Sequence, residues 1–254
     1  MKIALIQSDL VWENPKANRI HFEEKINGIK ESVDLIVLPE MFSTGFTMNP
    51  DKVAETMQGE TLLWLQSLAK AKNVAITGSL IVEESGNFYN RMLFVFPSGE
   101  IQFYDKRHLF TLAGEDKVYT AGSQKLIVNY LGWKICLMVC YDLRFPVFSR
   151  NVENYDLLLY VASWPEKRVN AWDALLKARA IENMSYTIGV NRIGIDNNAH
   201  HYSGHSQLLD CLGDYIVVPT EEENVFIAEL DKQKMIAARQ KLGFLNDRDQ
   251  FQLL

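Results

Sequence analysis

Lys134-Ile-Cys-Leu-Met-Val-Cys-Tyr-Asp-Leu-Arg-Phe-Pro146 joins a continuous apolar run to an abrupt polar turn. Ile135 to Val139 has the length and composition of a strand buried on both faces. Pro146 suits the first position of a helix. Cys140 therefore falls at a strand end just ahead of a helix start. Unpaired backbone N–H groups and the helix dipole favour an anion there, which predicts a thiol that ionises more easily than its free value of about 8.5. Two uses stay open at this point. Cys140 is either a nucleophile or a small buried hydrophobe, the commonest fate of a free cysteine.

Outward from this stretch, the pattern alternates strands with helices. Lys2–Gln7 reads as a first strand, Lys16–Ser32 as a helix, and Asp34–Leu38 as a short buried strand ending at Pro39-Glu40. Thr61–Lys72 carries Leu62, Leu65, Leu68 and Ala69 at helical spacing. Val74–Val82 and Tyr89–Phe96 form a hairpin across a polar turn, followed by a strand at Ile101–Tyr104. Asp105–Ser123 is long and irregular, and such loops are uncommon unless functional or disordered. Leu126–Tyr130 and Lys134–Val139 form a second hairpin. Beyond the cysteine come a helix near Pro146–Asn151, a strand at Leu157–Ala162, a helix at Asn170–Met184, and strands at Tyr186–Asn191, Ser206–Leu209 and Val225–Glu229. Mixed sheets covered by helices, an α/β layered domain, satisfy this order. No linker divides residues 1–254, so a single domain is expected, with a C-terminal arm from about residue 231.

Composition narrows the partners. Hydrophobic residues make up 48% and charged residues 23%, the balance of a globular chain. A net charge of −6 argues against nucleic acid or an anionic membrane as the main partner. The N-terminal apolar run is too short for a signal peptide, and no stretch approaches the roughly 18 apolar residues of a membrane span. A cytoplasmic protein is expected. Cys136 and Cys140, four apart on an extended strand, would stand about 13 Å apart, beyond the reach of a disulfide. With Cys211 they also make a poor zinc set, so no metal is expected.

Three polar groups fall at strand ends beside irregular loops: Glu40, Lys106 and Cys140. Strand ends are where ligands bind in α/β sheets. Singly, a glutamate after Leu-Pro is an ordinary turn residue and a lysine in Tyr-Asp-Lys-Arg-His an ordinary surface charge. Together they supply a base, a cation and a thiol, the set that covalent acyl transfer requires.

Leu38-Pro39-Glu40-Met41-Phe42, Tyr104-Asp105-Lys106-Arg107-His108-Leu109-Phe110 and Val139-Cys140-Tyr141-Asp142-Leu143-Arg144-Phe145-Pro146 resemble the three active-site motifs of the nitrilase superfamily of carbon–nitrogen hydrolases, in order and in spacing. The resemblance runs from about Lys2 to Leu230 and extends to Asn191-Arg192 and to Ala178–Asn183. It implies a four-layer αββα sandwich of mixed sheets, subunits pairing as a homodimer or higher homo-oligomer through helices near the cysteine, and no cofactor. It also implies roles: Glu40 as general base, Cys140 as nucleophile, Lys106 as stabiliser of the tetrahedral intermediate, and Glu115 as a second glutamate orienting substrate and base. The backbone N–H of Tyr141 is the second candidate oxyanion donor.

The cysteine motif, Ala162-Ser163-Trp164-Pro165 and Asn198–Ser206 resemble the ω-amidase branch. That branch cleaves the terminal amide of dicarboxylate monoamides such as 2-oxoglutaramate and 2-oxosuccinamate. A small amide bearing a carboxylate calls for a guanidinium. Arg144 and Arg168 are the candidates, with Trp164 and Phe42 as apolar walls; the bland use of Arg144 is an ion pair with Asp142 or a neighbouring acid. Another amidase or an N-carbamoyl hydrolase is the alternative within the superfamily, and an inactive small-ligand-binding member the alternative outside catalysis. His200 and His201 read as a hydrogen-bonded loop rather than metal ligands.

Overall fold

The computed structural model describes residues 1–252 and contains two six-stranded mixed sheets. In the first, the spatial order is Asn224–Glu229, Lys2–Gln7, Leu35–Val37, Ala75–Glu84, Asn87–Val95 and Ile101–Asp105. The second runs Tyr215–Val217, Gln207–Leu209, Tyr186–Asn191, Leu157–Ala162, Trp133–Val139 and Ile127–Tyr130. Each sheet has three adjacent parallel strands: Lys2–Gln7, Leu35–Val37 and Ala75–Glu84 in one, Trp133–Val139, Leu157–Ala162 and Tyr186–Asn191 in the other. Antiparallel strands complete both edges.

Side-chain alternation explains the layers. Ile3 and Leu5 point into a core shared with the second sheet, whereas Ala4 and Ile6 pack under the helices Pro15–Asn27 and Glu60–Lys72. Leu35 and Val37 divide from Ile36 and Leu38 in the same way. Both faces are buried, so residues 3–6 and 35–38 are continuous apolar runs. On the outside of the second sheet, Val169–Asn183 contributes Trp172, Leu176 and Ala180. A Cβ at Gly189 would stand 2.4 Å from Leu176 and 2.5 Å from Trp172, so glycine is what lets this helix lie close. Helix, sheet, sheet and helix make the four-layer αββα sandwich.

Differences from the sequence reading fall where local signals compete. The first helix stops at Asn27 and not at Ser32, because the Gly28 N–H caps the carbonyls of its last turn. The helix beginning at Pro146 spans only Pro146–Ser149, preceded by a tight 3-10 turn over Cys140–Arg144. A ribbon of Ile193–Ile195 against His201–Ser203 and the edge strand Tyr215–Val217 were not read from the sequence. Three residues each, they are too short to show a period. Past Asp231, a helix at Lys232–Leu242 leads into a 3-10 turn at Phe244–Asp247.

Candidate active site

Parallel strands deliver the polar groups at their carboxyl ends. Glu40 lies just past Leu35–Val37, Cys140 follows Trp133–Val139, and Ser163 follows Leu157–Ala162. Lys106 follows the antiparallel strand ending at Asp105, where its N–H donates to the Asn90 carbonyl at 3.0 Å. Among the non-glycine residues in the left-handed region are Met41, next to Glu40, with φ +44°, and Cys140 itself, with φ +44°. Such strain is commonly stored where a reacting side chain must be aimed.

The side chains converge. Lys106 Nζ donates to Glu40 Oε1 at 2.9 Å and to Glu115 at 3.0 and 2.9 Å, and all three side chains are fully buried. Asn90 Nδ2 spans both carboxylates, at 2.8 Å from Glu40 and 3.2 Å from Glu115. The Ser163 N–H donates to Glu40 Oε2 at 2.7 Å, and the Phe110 N–H to Glu115 Oε2 at 2.6 Å. Glu40 and Lys106 both act electrostatically on the Cys140 thiol. Glu115 is thus inside the cluster, at its centre, and not a solvated loop residue.

Electrostatics revise one expectation. Burial pushes the Cys140 thiol well above its ordinary value; the neighbouring Glu40 adds to this, and Lys106 only partly opposes it. The thiol is therefore protonated at rest. A helix of four residues that starts six positions later supplies too little dipole to offset desolvation. A protonated thiol calls for a neighbouring base, and Glu40 is the carboxylate whose charge acts on it most strongly. Burial lowers the basicity of the Lys106 amine, but Glu115 and Glu40 reverse this and hold it as an ammonium. Glu115 is raised by burial, with Lys106 opposing and Glu40 reinforcing.

Cys140 borders a cavity of about 460 Å³, a common size for a small-molecule site. Tyr141, Arg144, Trp164 and Arg168 line it as expected, together with Trp12, Phe46, Phe110, Lys167, Asp196, His200 and Tyr202. The Arg144 guanidinium lies 4.9 Å over the Trp164 ring and that of Arg168 5.2 Å over Phe110. Arg144 does not pair with Asp142, whose oxygens are taken by Tyr104, His108 and Val139. Phe42 is a correction: it is fully buried against Phe22 and Trp64 and forms no wall of the cavity. One residue after the left-handed Met41, its side chain faces the helices, and Phe46 takes the place next to Lys106, its ring 5.2 Å from Nζ.

Several site residues escaped the sequence reading. Asn90 sits in the middle of the strand Asn87–Val95, next to the buried Arg91, where one more polar side chain does not stand out. Asp196 accepts from the His200 N–H at 3.0 Å and the Tyr202 hydroxyl at 2.9 Å, which outweigh its burial and hold it below the usual carboxylate range. His200 is thus part of a hydrogen-bonded loop, its Nδ1 3.3 Å from Asp196.

Comparison with known proteins agrees with this arrangement. The carbon–nitrogen hydrolase family model matches residues 2–240. Omega-amidase YafV of Yersinia enterocolitica is 44% identical over 255 residues, spanning 100% of this chain and 99% of its own. The 2-oxoglutaramate amidase of Bacillus subtilis is 32% identical over 250 residues, 96% of each chain. Among solved structures, a Xanthomonas campestris CN-hydrolase superfamily protein with an arsenic adduct in its active site superposes with a TM-score of 0.97 at 39% identity, covering 100% of this chain and 98% of its own.

Proposed function

The chain belongs to the carbon–nitrogen hydrolase family, and on that premise we propose that it is an ω-amidase, releasing ammonia from short dicarboxylate monoamides such as 2-oxoglutaramate and 2-oxosuccinamate. The observation that carries the reading is the convergence of Glu40, Lys106 and Cys140 beside a cavity whose rim bears Arg144, Lys167 and Arg168. The two relatives named for this chemistry support it.

In the proposed reaction, Glu40 takes the thiol proton as Cys140 Sγ attacks the amide carbonyl carbon. Lys106 and the Tyr141 N–H stabilise the oxyanion; one such donor is typically worth about 10²–10³ in rate. Glu40 then gives its proton to the departing amine, and ammonia leaves a thioester on Cys140. Water loses a proton to Glu40, attacks the thioester and releases the carboxylate and the thiol. Glu115 and Asn90 hold Glu40 and Lys106 in register throughout. Rim guanidinium groups bind the far carboxylate of the substrate.

Ammonia release from 2-oxoglutaramate, glutaramine, an N-carbamoyl amine and a nitrile tests the reading. Turnover of the first, lost in Cys140→Ala with the fold retained, is the expected result; preference for the carbamoyl substrate would move the protein to another branch. A homodimer is the proposed assembly, through the helices Pro146–Ser149 and Val169–Asn183, which leave Val147 54% and Ile181 48% exposed. A monomer mass in solution would contradict it. The three free cysteines fit a cytoplasmic setting.

A further inference from the structure

Asp142, two residues beyond Cys140, is a carboxylate with no solvent contact. Its Oδ2 accepts from the Tyr104 hydroxyl at 2.7 Å and from the Val139 N–H at 2.9 Å. Its Oδ1 accepts from the His108 N–H at 3.0 Å and stands 2.7 Å from His108 Nδ1. Tyr104 and His108 flank Lys106 at two residues on either side, while Val139 and Asp142 bracket Cys140. One carboxylate therefore fastens the segment carrying the ammonium to the turn carrying the sulfur.

Two further contacts give this fastening a fixed geometry. The His108 ring lies flat on Phe145, centroids 3.8 Å apart and planes 6° from parallel, so the orientation that aims Nδ1 at Asp142 is set from a second direction. Cys140 is held in the left-handed region, and the bond from the Val139 N–H to Asp142 closes the turn around it. Neither Asp142 nor His108 lines the cavity, so neither touches substrate.

We propose that Asp142 and His108 are positioning residues: by joining the two segments they set where the Lys106 ammonium stands relative to the attacking sulfur. The proposal rests on the catalytic reading of Glu40, Lys106 and Cys140 given above. Acting through Lys106, the clamp governs kcat rather than KM, and a misplacement of about 1 Å can cost on the order of 100-fold in rate.

The test compares Asp142→Asn with His108→Phe, which keeps the stack on Phe145 and loses the Nδ1 contact. Active sites are counted by iodoacetamide labelling of the native protein, in which Cys136 and Cys211 are buried, with Cys140→Ala as the blank. Per labelled site, kcat is expected to fall at least tenfold in both variants with KM within threefold. The double variant should be no more than threefold worse than Asp142→Asn alone, because both changes break the same link. His108→Asn, which returns an amide donor near the Nδ1 position, should recover at least threefold over His108→Phe. If Asp142→Asn fails to fold, His108→Phe and its rescue decide the matter. A kcat per labelled site within twofold of the parent, whatever the change in melting temperature, would overturn the clamp and leave the catalytic reading standing. Turnover by Cys140→Ala would remove the catalytic reading and the clamp with it.

Discussion

The Lys106 ammonium stands 2.9 Å from the Glu40 carboxylate, and solvent reaches neither side chain. Glu115 is equally close on another side of the same nitrogen. One cation thus holds two carboxylates in a dry site, and its removal would leave like charges facing each other.

Lys106→Met should therefore show two effects. Loss of the oxyanion donor proposed above predicts a fall in kcat of about 10²–10³. Loss of a buried partner predicts destabilisation of roughly 3–5 kcal/mol at neutral pH. The second effect has a pH sign. Without the ammonium, burial and the neighbouring carboxylate hold the folded-state Glu115 carboxyl still further above the unfolded value of about 4.3, the direction it already shows. Stability lost in the variant should return as pH falls toward 4 and worsen as pH rises above it. Thermal unfolding of both proteins between pH 4 and 8 checks this; parallel curves would mean that the ammonium does not hold the pair.

Cys140 gives a prediction of opposite flavour from the one its position on the chain suggested. Because burial and Glu40 push the thiol up, little thiolate exists at pH 7 in the free enzyme. Labelling by iodoacetamide should be slow at pH 7 and still rising beyond pH 9. A rate that levels off below pH 8 would show a preformed thiolate and take the base role from Glu40.

The chain itself made much of this legible, for physical reasons that vary by element. Lys2–Gln7, Leu157–Ala162 and Tyr186–Asn191 occupy the ranges read for them, since strands buried on both faces are apolar over most of their length and end abruptly. Glu40, Lys106 and Cys140 stood out only as a set, a base, a cation and a thiol at strand ends within motifs that resemble those of the nitrilase superfamily. Asn90 and Ser163 did not, because one acts from mid-strand and the other through its backbone N–H, which no side-chain pattern reveals. Phe42 was misplaced because one left-handed residue, Met41, reverses which way the following side chain faces.

That reversal is testable. Phe42 packs edge-on against Phe22 at 5.4 Å and next to Trp64 at 6.2 Å. Phe42→Ala should cost roughly 3–5 kcal/mol in denaturant unfolding, the range for emptying a large aromatic site. KM should stay within about twofold, because the ring lies behind the site rather than in it. A large KM rise at unchanged stability would return Phe42 to the pocket wall.

The rim cations allow the most direct check on substrate class. Arg144 and Arg168 lie over aromatic rings and, among the described residues, pair with no acid; with Lys167 they line the same cavity, so positive charge there can meet an incoming carboxylate. A hydrogen bond to a charged group is worth about 1.5–3 kcal/mol, which corresponds to roughly 10–100-fold in binding. Arg144→Ala should raise KM for 2-oxoglutaramate by about that factor and leave a neutral amide such as butyramide within threefold. Lys167 is exposed to solvent, so the effect of Lys167→Ala should be smaller and should fade between 0.05 and 0.5 M salt as screening shortens the reach of the charge. Equal losses on charged and neutral amides would show that Arg144 shapes the pocket rather than reads a carboxylate, and Arg168→Ala would then be the variant to separate the two guanidinium groups.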